Sequence, residues 1–163
     1  MAVKKTIKLK RYNEIEIERL AGAAITPGMI LQLGSGNTVV AHATAGGNIL
    51  GNMVALEDEL QGGTIDTAYD AADVVKIGIF RTGDVVYAIL TDGVSVSIGD
   101  ALESAGNGML TKHTADIESP GVLSVYPKQI FGFAQEAVDT SDSSGGESSG
   151  TLEFAKRIAV IVA

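Results

Sequence analysis

From Thr6 to Glu18 the chain runs T-I-K-L-K-R-Y-N-E-I-E-I-E, setting Ile7 and Leu9, then Ile15 and Ile17, between charged neighbours. A period of two marks a half-buried strand. It predicts two strands divided near Tyr12 and Asn13, or one long bent strand. Residues 25–42, ITPGMILQLGSGNTVVAH, predict a strand, a tight turn and a second strand, because Pro27-Gly28 is a turn dipeptide and GSGN at 34–37 tolerates positive φ. Further strands are expected over 49–58, 73–80 and 84–91, the last two joined as a hairpin by Arg81-Thr82-Gly83. The closing stretch 154–162 puts Ile158, Val160 and Val162 on one face and Ala159 and Ile161 on the other, which predicts a strand buried on both sides. Helical periodicity is weak throughout, so one or two short helical turns at most are expected. The Ser/Gly/Asp segment 139–150 has little apolar area to bury and is expected to be a flexible surface loop.

The pattern repeats. ITPGMILQLGSGNTVVAH at 25–42 matches VSIGDALESAGNGMLTKH at 96–113 in its apolar, Gly, Leu, Gly-Asn and His positions. ILGNMVALE at 49–57 is echoed by IFGFAQE at 130–136, sharing apolar-apolar-Gly and then Ala-x-Glu, and VVKIGIF at 74–80 by the alternation of RIAVIVA at 157–163. Three matches in order point to a duplicated β unit, with residues 1–20 and the 84–91 strand added to it. Each copy is too small to close its own core, so the fold is expected to be all-β: a compact barrel or sandwich of two pseudo-repeated small units, with an extended N-terminal arm. The organisation that follows is a basic arm and first strand over 1–20 and one β domain over 21–163, with halves at about 21–83 and 84–163.

Composition narrows the function. The chain has 163 residues, 5% aromatic and without Trp or Cys, so disulfides, thiolate nucleophiles and cysteine metal sites are excluded. No apolar run approaches the roughly 20 residues of a membrane helix, and charges interrupt the N-terminal segment, so neither a membrane partner nor a signal peptide is expected. Net charge is −8, but Lys4, Lys5, Lys8, Lys10 and Arg11 give residues 1–11 a charge of +5, leaving −13 for the rest. An acidic body repels nucleic acid, so the arm is better suited to tethering on an acidic protein surface, or is simply a soluble charge-alternating strand.

Candidate chemistry is sparse. Gly99, Gly106 and Gly108 could suggest a phosphate cradle, but no G-K-[ST] and no helix follow them, and their counterparts Gly28, Gly34 and Gly36 recur about 71 residues earlier. Hairpin turns account for them better. His42 and His113 fall at equivalent places in the two copies and lack Glu-x-x-His or His-x-His spacing, so duplication explains the pair without a metal. The carboxylates Glu57, Asp58 and Glu59, and Asp139, Asp142 and Glu147, lack a cation-loop spacing. No G-x-S-x-G is present, and the shortage of aromatics argues against a sugar-stacking cleft. The expectation is a protein that is not an enzyme and needs no cofactor or metal.

GDALESAGNGMLTKH, followed by IFGFAQEAVD, a Ser/Gly-rich loop and a terminal R-I-A-V-I-V strand, resembles the small capsid decoration, or cement, proteins of tailed bacteriophages. The likeness covers residues 94–163 and, through the internal echo, 25–80 more loosely. It implies a β-rich structural virion protein, soluble in the host cytoplasm before assembly, that binds the outer capsid surface and stabilises it by bridging major capsid subunits. It also implies a homo-oligomer, a trimer ahead of a dimer, and no catalytic residues. An alternating N-terminal segment can add a strand to a partner's sheet edge, which makes Lys4, Lys5, Ile7, Lys8, Leu9, Lys10, Arg11, Tyr12, Ile15 and Ile17 the expected capsid-binding residues. The alternative is a β-barrel module binding a small molecule or glycan in an apolar pocket. A fibre or tail component is a weaker third possibility, since such a protein calls for a long shaft that the sequence lacks.

Overall fold

The computed structural model describes residues 4–11, 15–114, 127–142 and 157–163. Tyr12 and residues 143–150 of the Ser/Gly loop lie outside these. Thirteen strands follow in order: β1 (Lys8–Lys10), β2 (Glu16–Ala21), β3 (Leu31–Leu33), β4 (Thr38–Ala41), β5 (Met53–Ala55), β6 (Val74–Ile79), β7 (Val85–Ile89), β8 (Ser95–Val96), β9 (Ala101–Ser104), β10 (Leu110–Lys112), β11 (Ile130–Ala134), β12 (Val138–Asp139) and β13 (Arg157–Val162). Single 3-10 turns at Ser35–Asn37 and Glu59–Gln61 are the helical structure among the described residues. One sheet runs β3-β4-β2-β6-β5, a second β1-β7-β13-β11-β9-β10, and β8 pairs with β12. The sheets pack as a sandwich and do not close into a barrel. The seam between Leu90 and Leu110 is an isolated parallel bridge, and that between Ile30 and Val54 an isolated antiparallel one.

The duplication is present in the strand register. Leu31 pairs with Ala41 in the first hairpin as Leu102 pairs with Lys112 in the second, and Leu33 with Val39 as Ser104 with Leu110. Ala55 faces Ile77 as Ala134 faces Val160, and Met53 faces Ile79 as Gly132 faces Val162. Turn hydrogen bonds repeat as well: the Gly28 amide donates to the Ala55 carbonyl at 2.8 Å, and the Gly99 amide to the Ala134 carbonyl at 2.8 Å. The repeat also reaches further than its sequence signal. Ile17 faces Ile77 as Val86 faces Val160, so β2 and β7 are themselves equivalent members of the two units and not additions to them.

Equivalent positions therefore build two cores. Ala21, Ile25, Leu31, Val39, Ala55, Val75 and Ile77 fill the first, and their counterparts Leu90, Val96, Leu102, Leu110, Ala134, Ile158 and Val160 fill the second. Each fully buried Val, Leu or Ile among them stabilises by roughly 1.5–3 kcal/mol relative to its exposed state. The second core continues through Ile30, Val54, Leu56, Phe80 and Tyr87, which joins the halves. The final strand, β13, lies between β7 and β11 and is buried on both faces, as its two-sided apolar pattern predicts.

The predicted 73–91 hairpin does not form. β6 pairs with β2 and β5, while β7 pairs with β1 and β13, so residues 81–84 cross from one half to the other. The duplicated unit uses both edges of β6, which leaves no edge for its neighbour in sequence.

The glycines of the second hairpin make turns and permit close approach. Gly106 and Gly108 have φ +85 and +79, and a Cβ on Gly108 would stand 2.9 Å from the Ala41 Cβ in the first half. The Gly108 carbonyl accepts from Ile30 N–H at 2.8 Å and its amide donates to His42 O at 3.0 Å. Gly36 also has positive φ, +63, but faces open space. Gly36→Ala is expected to cost about 1 kcal/mol for the left-handed backbone alone, whereas Gly108→Ala adds overpacking of roughly 1–3 kcal/mol. Thermal melting of the two variants side by side measures the difference.

Candidate partner-binding surface

The basic segment is docked on the body and not projected from it. The Lys4 ammonium lies 2.7 Å from each Glu136 carboxylate oxygen and 4.9 Å from the centre of the Tyr87 ring. The Thr6 hydroxyl donates to Glu57 Oε1, and the Ile7 amide to Oε1 and Oε2 of the same buried carboxylate at 3.3 and 3.2 Å. Glu136 accepts in addition from Ala159 N–H at 2.8 Å. Glu57 and Glu136 are the two glutamates of the repeated Ala-x-Glu, so one residue from each half holds the arm. The sequence displays that echo, but its use in clamping the arm depends on long-range pairing that spacing does not encode.

Ile7 is fully buried in the second core, Leu9 packs against it half-buried, and β1 pairs antiparallel with β7 through Lys8–Val86 and Lys10–Val85. The Lys8 ammonium is 2.8 Å from Glu16 Oε1. Arg11 lies 3.6 Å from the same oxygen, donates to the carbonyls of Ile15 and Ile79 at 3.0 and 3.2 Å, and stacks 4.7 Å from the centre of the Phe80 ring. Lys4, Lys8 and Arg11 thus meet carboxylates of the body, while Lys5 and Lys10 are exposed. Ile15 is exposed, and half-buried Ile17 faces the first core. Of the ten expected partner-binding residues, Ile7 is a buried anchor, Leu9 and Ile17 pack against different cores, Lys4, Lys8 and Arg11 meet carboxylates, Lys5, Lys10 and Ile15 are exposed, and Tyr12 lies outside the described residues.

The two copies differ by an inserted loop. Tyr69 stands where Val138 stands, since Ile25 bridges Tyr69 as Val96 pairs with Val138. Residues 58–68 therefore occupy the place of Ala137 alone. Buried Arg157 anchors this insertion across the junction, donating to Asp66 Oδ1 at 2.9 Å, to the Pro27 carbonyl at 3.1 Å and to the Ile65 carbonyl. Two clefts adjoin the loop. One of about 360 Å³ is lined by Lys5, Glu57, Glu59, Gly63, Thr64, Ile65 and Asp66, and one of about 230 Å³ has Asp58, Tyr69 and Asp73 in its wall. Both linings mix carboxylates and glycines with apolar surface, from Ile65 in the first and from Ala68 and Tyr69 in the second.

The Tyr69 hydroxyl donates to the Leu56 carbonyl at 2.7 Å, and burial pushes its pKa up to about 12. The folded state keeps this phenol protonated where the unfolded chain, titrating near 10, releases the proton. Its contribution to stability is whole below pH about 10 and is lost as the pH rises from there towards 12. Tyr69→Phe is therefore expected to fall less steeply in melting temperature than the wild type over that window, measured by circular dichroism at pH 9 to 12.

The remaining candidates are used locally. His42 is buried, with Nδ1 2.8 Å from Ser104 Oγ and Nε2 2.9 Å from the Asn48 carbonyl oxygen. His113 Nδ1 lies 2.5 Å from Glu103 Oε2, which also accepts from Gln129 at 3.0 Å. The two histidines thus engage different partners on adjacent residues of β9. Asp139 caps the Ser141 amide at 2.9 Å.

No family model and no curated protein matches the chain. Its fold is similar to that of a phage head-fiber base. The N base of head fiber gp8.5 of bacteriophage phi29 aligns with 93% of this chain over 95% of its own, with a TM-score of 0.54 and 13% sequence identity. At that identity the gp8.5 base shares the fold, and it does so across both halves of the duplication.

Proposed function

We propose that the protein is a non-catalytic structural component of a tailed-phage virion, seated on the outer surface of the capsid, where it stabilises the shell by bridging major capsid subunits as a homo-oligomer, a trimer ahead of a dimer. The observation that carries this reading is the likeness over nearly the whole chain to the base of a phage head fiber. The alignment covers 95% of that base, so a body of this size suits a fibre-type attachment as well as a decoration role. A rigid, doubly cored β unit with unpaired strand edges suits bridging, because edges add strands from neighbours without reorganising the core. The capsid-facing surface of this proposal is the junction side with exposed Lys5, Lys10 and Ile15.

Co-sedimentation with empty phage shells tests it. The proposal expects saturable binding and a higher melting temperature of the decorated shells by light scattering. Protein that stays in the supernatant at every concentration overturns it.

A further inference from the structure

The duplication provides an internal comparison of strand edges. In the second half the backbone groups of Val85, Tyr87 and Ile89 point away from β13, since the pair Asp84 and Val162 is hydrogen-bonded and alternate pairs are not. That outward edge is occupied: Tyr87 N–H donates to the Ile7 carbonyl at 2.8 Å, and β1 lies along it. In the first half the equivalent residues are Glu16, Glu18 and Leu20. The Ile79 amide donates to the Ile15 carbonyl at 2.9 Å and the Ala21 amide to the Asp73 carbonyl at 2.8 Å, so Glu16 and Glu18 likewise turn their backbone groups away from β6. β4 reaches Leu20 and Ala21 only. Among the described residues no strand pairs with the edge at Glu16 and Glu18, although its counterpart holds one.

We infer that this β2 edge is a docking slot for a short, extended, basic segment of the capsid partner, an inference that rests on the function proposed above. The strand in the equivalent slot shows the chemistry that fits: T-I-K-L-K alternates apolar and lysine residues. Glu16 already pairs with Lys8 and Arg11, while the exposed Glu18 sets a second carboxylate beside the edge, within a body of charge −13, so a lysine-bearing strand gains main-chain hydrogen bonds and a charge partner at Glu18 together. A second copy's arm is the poorer occupant. To reach this slot it has to leave its own, giving up the burial of Ile7 and the carboxylates of Glu57 and Glu136.

Hydrogen exchange on the full chain, free and bound to empty shells, together with two variants, tests the slot. In the free protein the Glu18 amide is expected to exchange fast while Ile17 and Arg19, bonded to β6, exchange slowly. On shells the Glu18 amide slows at least tenfold. Glu18→Pro removes that outward N–H together with the Glu18 carboxylate but no hydrogen bond to β6, so it is expected to keep the wild-type melting temperature and weaken shell binding at least tenfold. Glu18→Lys leaves the backbone intact and weakens binding by repelling the basic strand, which keeps the test open should the proline variant misfold. A Glu18 amide already slow in the free protein, or unchanged on shells, overturns the slot, and so does wild-type shell binding by both variants. If light scattering shows that Glu18→Pro breaks up a wild-type oligomer while shell binding persists, the occupant is a second copy and the inference is wrong. Wild-type protein that ignores shells altogether overturns the proposed function and the slot with it.

Discussion

Replacing Arg157 by Met is expected to cost about 3 kcal/mol or more, because it strips a buried cation from its partners and leaves them unmatched. Asp66 and the carbonyls of Pro27 and Ile65 all receive hydrogen bonds from this one guanidinium, and the arginine itself is 2% exposed. For a domain of this size that loss corresponds to a fall of roughly 6–12 °C in melting temperature. The reverse truncation is milder. Asp66 is a quarter exposed and can be replaced by water, so Asp66→Asn is expected to cost about 1 kcal/mol. Differential scanning calorimetry of both variants separates the buried partner from the half-wet one. Because the inserted loop 58–68 has no counterpart in the second half, Arg157→Met should also raise hydrogen exchange in that loop ahead of the two cores. Equal acceleration everywhere would mean that Arg157 supports the whole fold and not the insertion.

The second large effect concerns the arm. Ile7 is fully buried, so Ile7→Ala is expected to cost roughly 2–5 kcal/mol, and β1 should lose its hold on Tyr87, seen as faster exchange of the Tyr87 amide. Lys8→Ala breaks an exposed pair with Glu16 and is expected to change stability by no more than about 0.5 kcal/mol. The contrast locates the arm's energy in the buried Ile7 side chain and not in the exposed Lys8–Glu16 pair. Deleting residues 1–11 therefore removes a piece of the core along with any adhesive function, and a loss of binding by that truncation alone does not distinguish the two. Single replacements of the exposed Lys5 and Lys10 leave Ile7 in place and test the surface alone.

Much of this architecture is legible in the sequence because duplication writes the same turn twice. Gly28 and Gly99 mark equivalent turns and the paired registers keep their offset, while the Gly-Asn pairs mark the same two hairpin turns one residue out of step. The equivalence of β2 and β7 is not legible, for a physical reason. E-I-E-R-L and V-V-Y-A-I have no identical residue at equivalent positions, since the outer face of β2 is exposed and carries Glu16 and Glu18, while that of β7 is covered by the arm and the first half. Burial dictates side-chain chemistry, so identical backbone roles leave different residues.

The hairpin expected at Arg81-Thr82-Gly83 fails by similar logic. The turn chemistry is real, and Asp84 accepts from the Arg81 amide at 2.9 Å, but a turn fixes only a change of direction. Which edges meet afterwards is decided by the duplicated unit. The arm shows the same division: its alternation predicts a strand, but a period of two does not say whether the strand joins a partner or its own body. The arm's strand pattern was thus visible in the sequence, and its docking on its own body was not.

Cryo-electron microscopy of shells assembled with and without the protein tests the central claim most directly. The account predicts added density on the outer surface, a two-lobed sandwich at repeated lattice positions bridging neighbouring capsid subunits, with the junction side of Lys5, Lys10 and β2 turned toward the shell. Identical maps with and without the protein, or density confined to the shell interior, would contradict it.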